Sequence, residues 1–198
     1  NELETEDLIK DEEMVITITN SGYIKRLPLQ TYKTQGRGGK GVMGAATKDE
    51  DIVKDIFIAS THSYILFFTN KGKVYWLKVY NVPEASRIAR GKAIVNLLQM
   101  SNDETVNAFV PVREFDDKHY LIMATKNGTV KKTELMSYSN PRRTGFVAIT
   151  LDDKDELINV ELTDGNQQII LATKEGNAVR FEEKNVRPTG RSAQGVRG

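Results

Sequence analysis

Short runs of apolar residues recur along the chain, and each is followed by a turn that contains glycine. The runs favour strands because they are brief and rich in Val, Ile, Leu and Phe. They occupy residues 15–18, 65–68, 121–124 and 169–172, and the glycines that follow them are Gly22, Gly72, Gly128 and Gly176. A second extended segment follows each glycine, which supplies the positive φ of a tight turn. The pattern therefore predicts four β-hairpins.

The four hairpins belong to one repeated unit, because their glycines lie 50, 56 and 48 residues apart. Residues at equal distances from the glycine are similar in character, as expected of a repeat. Two positions beyond it stand Ile24, Val74, Val130 and Ala178. Ten positions beyond it stand Tyr32, Val82, Tyr138 and Val186. We predict that these are core positions of the unit.

A further extended segment precedes the hairpin in every unit but the first, at residues 52–60, 106–112 and 157–163. Four short strands in about fifty residues is the period of a propeller blade. The sequence therefore predicts an all-β fold with about four blades, at approximately 14–50, 51–103, 104–153 and 154–198. Because the first unit lacks the preceding strand, we expect the four units to be part of a longer array.

Charge is unevenly distributed, although the 198 residues carry 28 Lys and Arg against 27 Asp and Glu. Residues 1–13 hold seven acids and one lysine and so carry −6, which leaves +7 on residues 14–198. This acidic leader is compatible with a short helix or a linker, and its charge density favours the linker. The basic body favours an acidic partner.

The composition excludes several classes of protein. The absence of cysteine rules out disulfides, thiol catalysis and thiolate-bound zinc. The two histidines, His62 and His119, form no H-E-x-x-H pair and lack the partners that Ser–His catalysis needs. The sequence contains no apolar run of membrane-spanning length and no visible signal peptide. We therefore expect a soluble cytoplasmic segment with no catalytic site and no metal site of its own.

An arginine stands fifteen positions beyond every hairpin glycine, and further cations lie near it. The four arginines are Arg37, Arg87, Arg143 and Arg191, and their neighbours include Arg90, Lys92, Arg142, Arg187 and Arg197. Nineteen positions beyond the hairpin glycine come Gly41, Gly91 and Gly195, whereas the third unit has Gly145 at seventeen. Guanidinium groups and open glycine N–H groups both bind phosphate. A repeat array displays equivalent positions along one edge, so we predict duplex DNA bound there, with a solvated rim as the alternative.

The richest of these loops has four glycines, two cations and no acid in seven residues. It consists of Gln35, Gly36, Arg37, Gly38, Gly39, Lys40 and Gly41. Residues 36–41 satisfy G-x-G-x-x-G, but the sequence predicts no βαβ unit here, which disfavours a dinucleotide site. Glycine follows Lys40 where a Walker loop requires Ser or Thr. Five cations of the second hairpin strands either extend the basic track or lie on a solvated outer strand: Lys25, Arg26, Lys131, Lys132 and Arg180.

The seven-residue loop resembles the Q-(R/K)-R-G-G-(R/K)-G box of the C-terminal domain of the bacterial DNA gyrase A subunit. It matches six of seven positions, and the departure is Gly36 in place of a second cation. Other stretches resemble the same family, namely residues 22–26, 61–62, 78–80, 83–85, 89–91, 94–98, 127–133 and 195–198. The resemblance spans most of the chain from Asp7 onward.

The resemblance implies a β-pinwheel, in which propeller-like blades, usually six, exchange strands with their neighbours. It also implies that the domain bends duplex DNA around its rim, so that an ATP-dependent type II topoisomerase can introduce negative supercoils. The implied partners are duplex DNA, the remainder of the gyrase A chain and the gyrase B chain, in an assembly of two A and two B subunits. ATP and Mg²⁺ are used by that parent enzyme, and no cofactor is expected in this segment.

Two alternatives to gyrase stay open. The matching domain of topoisomerase IV shares the blades, but its box is typically degenerate or missing, so the nearly intact box favours gyrase. A propeller that serves only as a protein-interaction scaffold would need neither an arginine in every loop nor glycines suited to phosphate.

Overall fold

In a computed structural model, the chain is built mainly of short antiparallel strands joined by turns. The structure describes residues 2–37, 51–140, 142 and 144–198. Two α-helices occur in that part of the chain, α1 (Glu2–Asp7) and α2 (Leu29–Arg37), and neither they nor the shorter helical turns could cross a membrane. The strands are β1 (Glu13–Thr19), β2 (Tyr23–Pro28), β3 (Val53–Ser60), β4 (Tyr64–Thr69), β5 (Lys73–Lys78), β6 (Lys92–Ala93), β7 (Val106–Val112), β8 (Tyr120–Thr125), β9 (Thr129–Glu134), β10 (Phe146–Val147), β11 (Leu157–Thr163), β12 (Gln168–Ala172), β13 (Ala178–Glu182) and β14 (Val196–Arg197). The predicted all-β class is confirmed.

All four predicted hairpins form, as β1–β2, β4–β5, β8–β9 and β12–β13. Each turn glycine has a positive φ, between 77° and 89°. A helical turn begins seven residues beyond each of these glycines, at Leu29, Val79, Leu135 and Glu183. These turns are landmarks of the repeat that the hydrophobic pattern alone did not predict.

The first helical turn differs from the other three because it continues as α2 to Arg37. Gln35, Gly36 and Arg37, which the sequence analysis placed in an open loop, are therefore helical. The other three units each have a proline a few residues after the turn begins, and proline disfavours helix in the residue before it. No proline follows Leu29 in that region. The remaining residues of the predicted loop, Gly38, Gly39, Lys40 and Gly41, lie outside the described residues.

Each four-stranded sheet takes strands from successive repeats. The orders are β3-β1-β2-β6, β10-β5-β4-β7 and β11-β8-β9-β14, and β12-β13 form a two-stranded sheet. Strands β3, β7 and β11 open the ranges predicted as 51–103, 104–153 and 154–198, yet each pairs with the hairpin before it. The sheets therefore have different boundaries from those linear ranges, in the manner of the exchanged strands that the resemblance implies.

A corner at residues 61–63 explains why strands close in sequence do not pair. Only these three residues separate β3 from β4. The Thr61 amide donates to the Glu12 carbonyl at 2.9 Å, and the Thr61 carbonyl accepts from the Tyr80 amide at 3.0 Å. Because the corner is bonded to other segments on both sides, it redirects the chain into another sheet instead of closing a hairpin.

Contacts between residues divide the chain into two compact units. The first comprises Asn1–Ile65, Leu77–Gln99 and Pro111–Arg113, and the second comprises Leu66–Trp76, Met100–Val110 and Glu114–Gly198. In the first unit, the core includes Met14, Ile16, Ile18 and Ile24 on β1 and β2. The predicted core residue Val82 is buried there, whereas Tyr32 is half-buried.

The acidic leader is packed into the first unit, of which it is a part. It opens as α1, where its charge density had favoured a linker. Lys78 Nζ lies 3.3 Å from a Glu6 carboxylate oxygen, and His62 Nε2 lies 2.7 Å from the Ile9 carbonyl oxygen. These tertiary contacts offset the self-repulsion on which the linker interpretation rested.

In the second unit, aromatic rings and aliphatic side chains form the core. Phe68 meets Tyr138 edge-on with ring centroids 6.3 Å apart, a favourable aromatic geometry. The predicted core residues Val74, Val130, Tyr138 and Val186 are buried. Ala178 is exposed, contrary to the prediction, because β12 and β13 form a sheet of only two described strands and little packs on them.

Candidate nucleic-acid interface

The loops that carry the predicted arginines return to the hairpin of the preceding repeat. We use the name arginine loops for residues 86–91, for residues 142, 144 and 145, and for residues 187–195. The short strand after each loop pairs with the second strand of the earlier hairpin: β6 with β2, β10 with β5, and β14 with β9. Equivalent residues of the repeat therefore reach equivalent positions beside three successive hairpins.

Six of the predicted DNA-contacting cations have described side chains, and all six are exposed. They are Arg87, Arg90, Lys92, Arg142, Arg187 and Arg191. None forms an ion pair with another residue of the described ranges. An exposed guanidinium without a carboxylate partner keeps its donors free for an anionic ligand. Arg143, like the glycine-rich half of the predicted box, lies outside the described residues.

Three of these arginines lie over aromatic rings that the sequence analysis did not assign to the site. The Arg90 guanidinium carbon is 3.9 Å from the ring centroid of Tyr23, and the corresponding distance from Arg191 to Phe146 is 4.3 Å. Arg87 lies 5.5 Å from the Tyr32 centroid. Stacking on a ring orients a guanidinium while its N–H edge stays open.

The glycines nineteen positions beyond the hairpin turn let each loop approach the backbone of the neighbouring strand. Gly91 has φ +87°, and a Cβ there would lie 2.4 Å from the Ile24 carbonyl oxygen. Gly195 has φ +95°, and its Cβ would lie 2.6 Å from the Val130 carbonyl oxygen. Both positions require glycine for conformation and for space. These contacts give the two glycines a structural role that the phosphate hypothesis alone did not include.

We expect Gly195→Ala to destabilise the second unit by about 2–5 kcal/mol, the sum of left-handed backbone strain and overpacking. Gly128→Ala is the matched control, because Gly128 has φ +88° but nothing within 4 Å of its Cβ position. That variant should lose only about 1–2 kcal/mol from the backbone. Urea unfolding of both variants measures the difference. Equal losses of stability in the two variants would show that the loop is not packed tightly against the strand.

The arginine loop at residues 142, 144 and 145 approaches its neighbouring strand in another way. Its glycine, Gly145, is two residues earlier in the repeat, and a Cβ there would lie 2.7 Å from the ring of Tyr75. Tyr75 stands three positions beyond its hairpin glycine, where the first and third hairpins have Lys25 and Lys131. The loop glycine that stands at seventeen instead of nineteen positions beyond its hairpin glycine thus lies beside a tyrosine, where the first and third hairpins have a lysine.

Two of the strand cations are buried, so they belong neither to a basic track nor to a solvated outer strand. Lys131 is 1% exposed and Lys132 is 4% exposed. Their side chains project from opposite faces of β9 and are covered by other segments: Lys131 Nζ contacts the carbonyls of Ala148 and Arg191, and Lys132 Nζ contacts the carbonyl of Glu183. Lys25 and Arg26 on β2 are half-buried, and only Arg180 is exposed among these five residues.

Two of these ammonium groups bond to backbone carbonyls of the arginine loops. Lys25 Nζ donates to the carbonyl oxygens of Ser86, Arg87 and Ala89, at 3.0, 2.7 and 2.8 Å. Lys131 Nζ donates to the Ala148 carbonyl oxygen at 2.6 Å and to that of Arg191.

Burial also changes how readily these two lysines are protonated. Together with the nearby charge of Arg191, it lowers the pKa of Lys131 to about 8. Burial and the charge of Arg87 lower the pKa of Lys25 as well. Sequence analysis missed this arrangement, although lysine recurs three positions beyond the hairpin glycine.

The match to a known family divides the chain into four segments, as the repeat does. The family model described as "DNA gyrase C-terminal domain, beta-propeller" matches residues 13–60, 63–113, 119–164 and 167–198. The first three matched segments each contain a hairpin and the outer strand that pairs with it, as the observed sheets do. The DNA gyrase A subunit of Clostridium acetobutylicum is 50% identical over 198 residues, which is 100% of this chain and 24% of that relative. The chain thus spans about a quarter of that relative's length.

Two solved structures share the architecture. "Crystal structure of the C-terminal domain of DNA topoisomerase IV" has a TM-score of 0.80 at 32% identity, covering 96% of this chain and 58% of that one. "Structure of DNA gyrase A C-terminal domain" has a TM-score of 0.69 at 29% identity, covering 94% and 60%. Both similarities extend over nearly all of this chain.

Proposed function

Because the chain belongs to the DNA gyrase C-terminal domain family of β-propellers, we propose that it binds duplex DNA through its arginine loops and bends the duplex along them. One observation carries the proposal. Exposed arginines without carboxylate partners recur in every described arginine loop, always beside the hairpin of the preceding repeat. A repeated cationic position suits a ligand that repeats its own negative charge, as a DNA backbone does.

The chemistry favours contacts to phosphates over contacts to bases. Guanidinium groups on short loops bind phosphate oxygens in a forked geometry, which carries no sequence information by itself. The described α-helices are six and nine residues long, and the longer one ends inside the predicted box, at Arg37. Binding should therefore depend little on base sequence, and any preference should come from how easily the duplex bends.

We propose the wider context from the relatives. Since those relatives are gyrase A subunits of about four times this length, the chain would act as one part of such a protein, in an assembly with the gyrase B chain. The ATP and Mg²⁺ of a supercoiling reaction would be used by those other parts. A segment that bends chromosomal DNA in bacteria would work in the cytoplasm.

The fold leaves topoisomerase IV as the second candidate, because its C-terminal domain superposes with a TM-score of 0.80. Sequence favours gyrase, since the matching family model is that of the gyrase C-terminal domain and the Clostridium gyrase A subunit is 50% identical. The predicted box also favours gyrase. A protein-interaction scaffold has less support, because such a role gives no reason for arginines in each described loop that have no carboxylate partner among the described residues.

Closing a relaxed, nicked plasmid with ligase in the presence of the chain tests the bending proposal. If DNA wraps along the loops, the closed plasmid should keep a change in linking number after the protein is removed. An unchanged distribution at saturating protein, with binding shown by gel shift, would refute wrapping. No binding to duplex DNA would refute the whole proposal.

The box predicted from the sequence gives a finer test. We expect Arg37→Ala/Lys40→Ala to lose the linking-number change while duplex binding persists, weaker by about a hundredfold near 0.1 M salt, because the other loops still bind. Bending a site of 20–30 base pairs costs about 1–6 kcal/mol, so losing a few contacts can remove the bend first. In a full gyrase the same variant should relax DNA without ATP but fail to supercoil it with ATP. Retained supercoiling would contradict this role for the box.

A further inference from the structure

Two lysines on the second strands of separate hairpins stand at the same repeat position and make the same kind of contact. Lys25 and Lys131 both lie three residues beyond a hairpin glycine, on strands that are flanked on both sides in their sheets. Each ammonium group faces the arginine loop that returns to its own strand. Neither group binds a carboxylate of the described chain; both donate to backbone carbonyl oxygens.

We propose that Lys25 and Lys131 are positioning residues, whose ammonium groups fix the backbone of the arginine loops at residues 86–91 and 187–195. The proposal rests on the proposed function for its consequence, which is DNA affinity. Its structural content, an ordered loop in the free protein, can be measured without DNA. The positioning role also explains why the ammonium groups of these two lysines point towards backbone carbonyls instead of solvent.

The geometry at Lys25 shows how one ammonium group can shape a loop. Three carbonyl oxygens within a span of four residues converge on its Nζ at 2.7–3.0 Å. Carbonyls that converge in this way require the peptide units between them to turn away from an extended path. The side chains of Arg87 and Arg90 are exposed on the same loop, where they stack against Tyr32 and Tyr23.

The geometry at Lys131 joins two segments of the second unit. Its Nζ bonds to the carbonyl of Arg191 in the loop and to the carbonyl of Ala148, which follows β10. The Tyr138 hydroxyl donates to the same Ala148 oxygen at 3.0 Å, so that oxygen keeps a partner without the lysine. The bond to the Arg191 carbonyl has no such second donor among the contacts described. Loss of Lys131 should therefore loosen the loop more than the core.

Replacement by methionine separates positioning from general stability. Lys25→Met and Lys131→Met keep a long unbranched side chain but remove the charge and the donors. Lys132→Met is the matched control, because Lys132 is a buried neighbour whose Nζ lies 3.4 Å from the Glu183 carbonyl oxygen, outside the arginine loops. All three variants lose one positive charge, so net charge does not distinguish them.

Amide hydrogen exchange in the free protein is the first readout. Lys25→Met should speed exchange of the Ala89 amide, which is bonded to the Ser86 carbonyl, by about tenfold or more. Lys131→Met should do the same to the Ala193 amide, which is bonded to the Gly190 carbonyl. Each variant should affect its own loop, and Lys132→Met should affect neither. Unchanged exchange in both loops would overturn the proposal, whatever happens to DNA binding.

Duplex affinity at fixed salt is the second readout. Each Lys→Met variant should weaken binding by about tenfold beyond the effect of Lys132→Met, because a disordered loop must be ordered on binding. If wild type does not bind DNA, the proposed function fails, but exchange still decides the positioning role. If Lys131→Met does not fold, Lys25→Met decides it, because Lys25 is only half-buried. Faster exchange with undiminished affinity would show loops that need no preordering, which contradicts the proposal.

The pH dependence of duplex affinity is a third readout. A lysine with only a structural role would leave this dependence unchanged. The Lys131 ammonium lies near the Arg191 guanidinium, and it shares the Ala148 carbonyl oxygen with the Tyr138 hydroxyl. With a pKa of about 8 in the free protein, Lys131 is charged at pH 7 and largely neutral at pH 9. A nearby phosphate favours the charged form, so the complex takes up a proton and affinity should fall as the pH rises above 8. Lys131→Met should reduce this decline and Lys132→Met should keep it in full; a decline as steep in Lys131→Met as in the wild type contradicts the role.

Discussion

Raising the monovalent salt concentration from 50 to 200 mM should weaken duplex binding by about ten-thousandfold. The reason is counterion release, since every phosphate that a Lys or Arg neutralises frees condensed cations from the DNA. Six exposed cations lie in the arginine loops or, for Lys92, directly after one, and the predicted box adds Arg37 and Lys40, which makes about eight phosphate contacts. At about −0.9 per contact, the logarithm of the binding constant should fall with the logarithm of salt at a slope of about −7.

A titration of labelled duplex at four or more salt concentrations measures this slope. Two duplexes of unrelated base sequence serve as a control, because backbone contacts predict nearly the same slope for both. A slope shallower than about −2 would mean that only a couple of phosphates are neutralised. That outcome is incompatible with DNA lying along several arginine loops.

Removing four loop arginines together should reduce affinity by about a thousandfold to ten-thousandfold near 0.1 M salt. The variant is Arg87→Ala/Arg90→Ala/Arg187→Ala/Arg191→Ala, which takes two cations from each of two loops. Near that salt concentration each lost phosphate contact is worth about a factor of ten, and the salt slope should become shallower by about 3.6. The fold should persist, because exposed side chains seldom change stability by more than about 0.5 kcal/mol each.

An equal change of charge elsewhere is the control for the arginine variant. Lys54, Lys118, Lys126 and Lys174 are exposed and lie outside the arginine loops. Replacing all four by Ala alters the net charge by the same amount, so a loss due to overall charge would appear in both variants. We expect the lysine variant to keep the wild-type salt slope to within about one contact. Similar losses in both variants would refute a defined DNA track.

Local sequence patterns predicted much of this structure, because the same turn and strand residues recur in all four repeats. The turn glycines Gly22, Gly72, Gly128 and Gly176 marked four hairpins, and all four formed. Counting from them placed Arg87 and Arg191 at one repeat position, and both proved to be exposed on arginine loops. Turn chemistry and strand propensity act within a few residues, so they are readable without tertiary structure.

The role of the lysines could not be read in that way. Lys25 and Lys131 look like ordinary cations of solvated strands, since the apolar pattern around them gives no sign that a distant loop will pack over them. Their burial depends on the arginine loops that lead into β6 and β14, which arrive from about 60 residues further along the chain. The same long-range pairing explains why Gly91 and Gly195 lie close to the carbonyl oxygens of Ile24 and Val130.

The sequence by itself thus determined the repeat, the hairpins, the all-β class and the repeat position of the exposed loop arginines. Only the tertiary structure decided which strand belongs to which sheet, which lysines are buried, and which rings three of the arginines stack on. The physical reason is the range of the interactions. A hairpin closes over two to five residues, whereas sheet membership and burial arise from contacts between segments that lie tens of residues apart and become neighbours only when the chain folds.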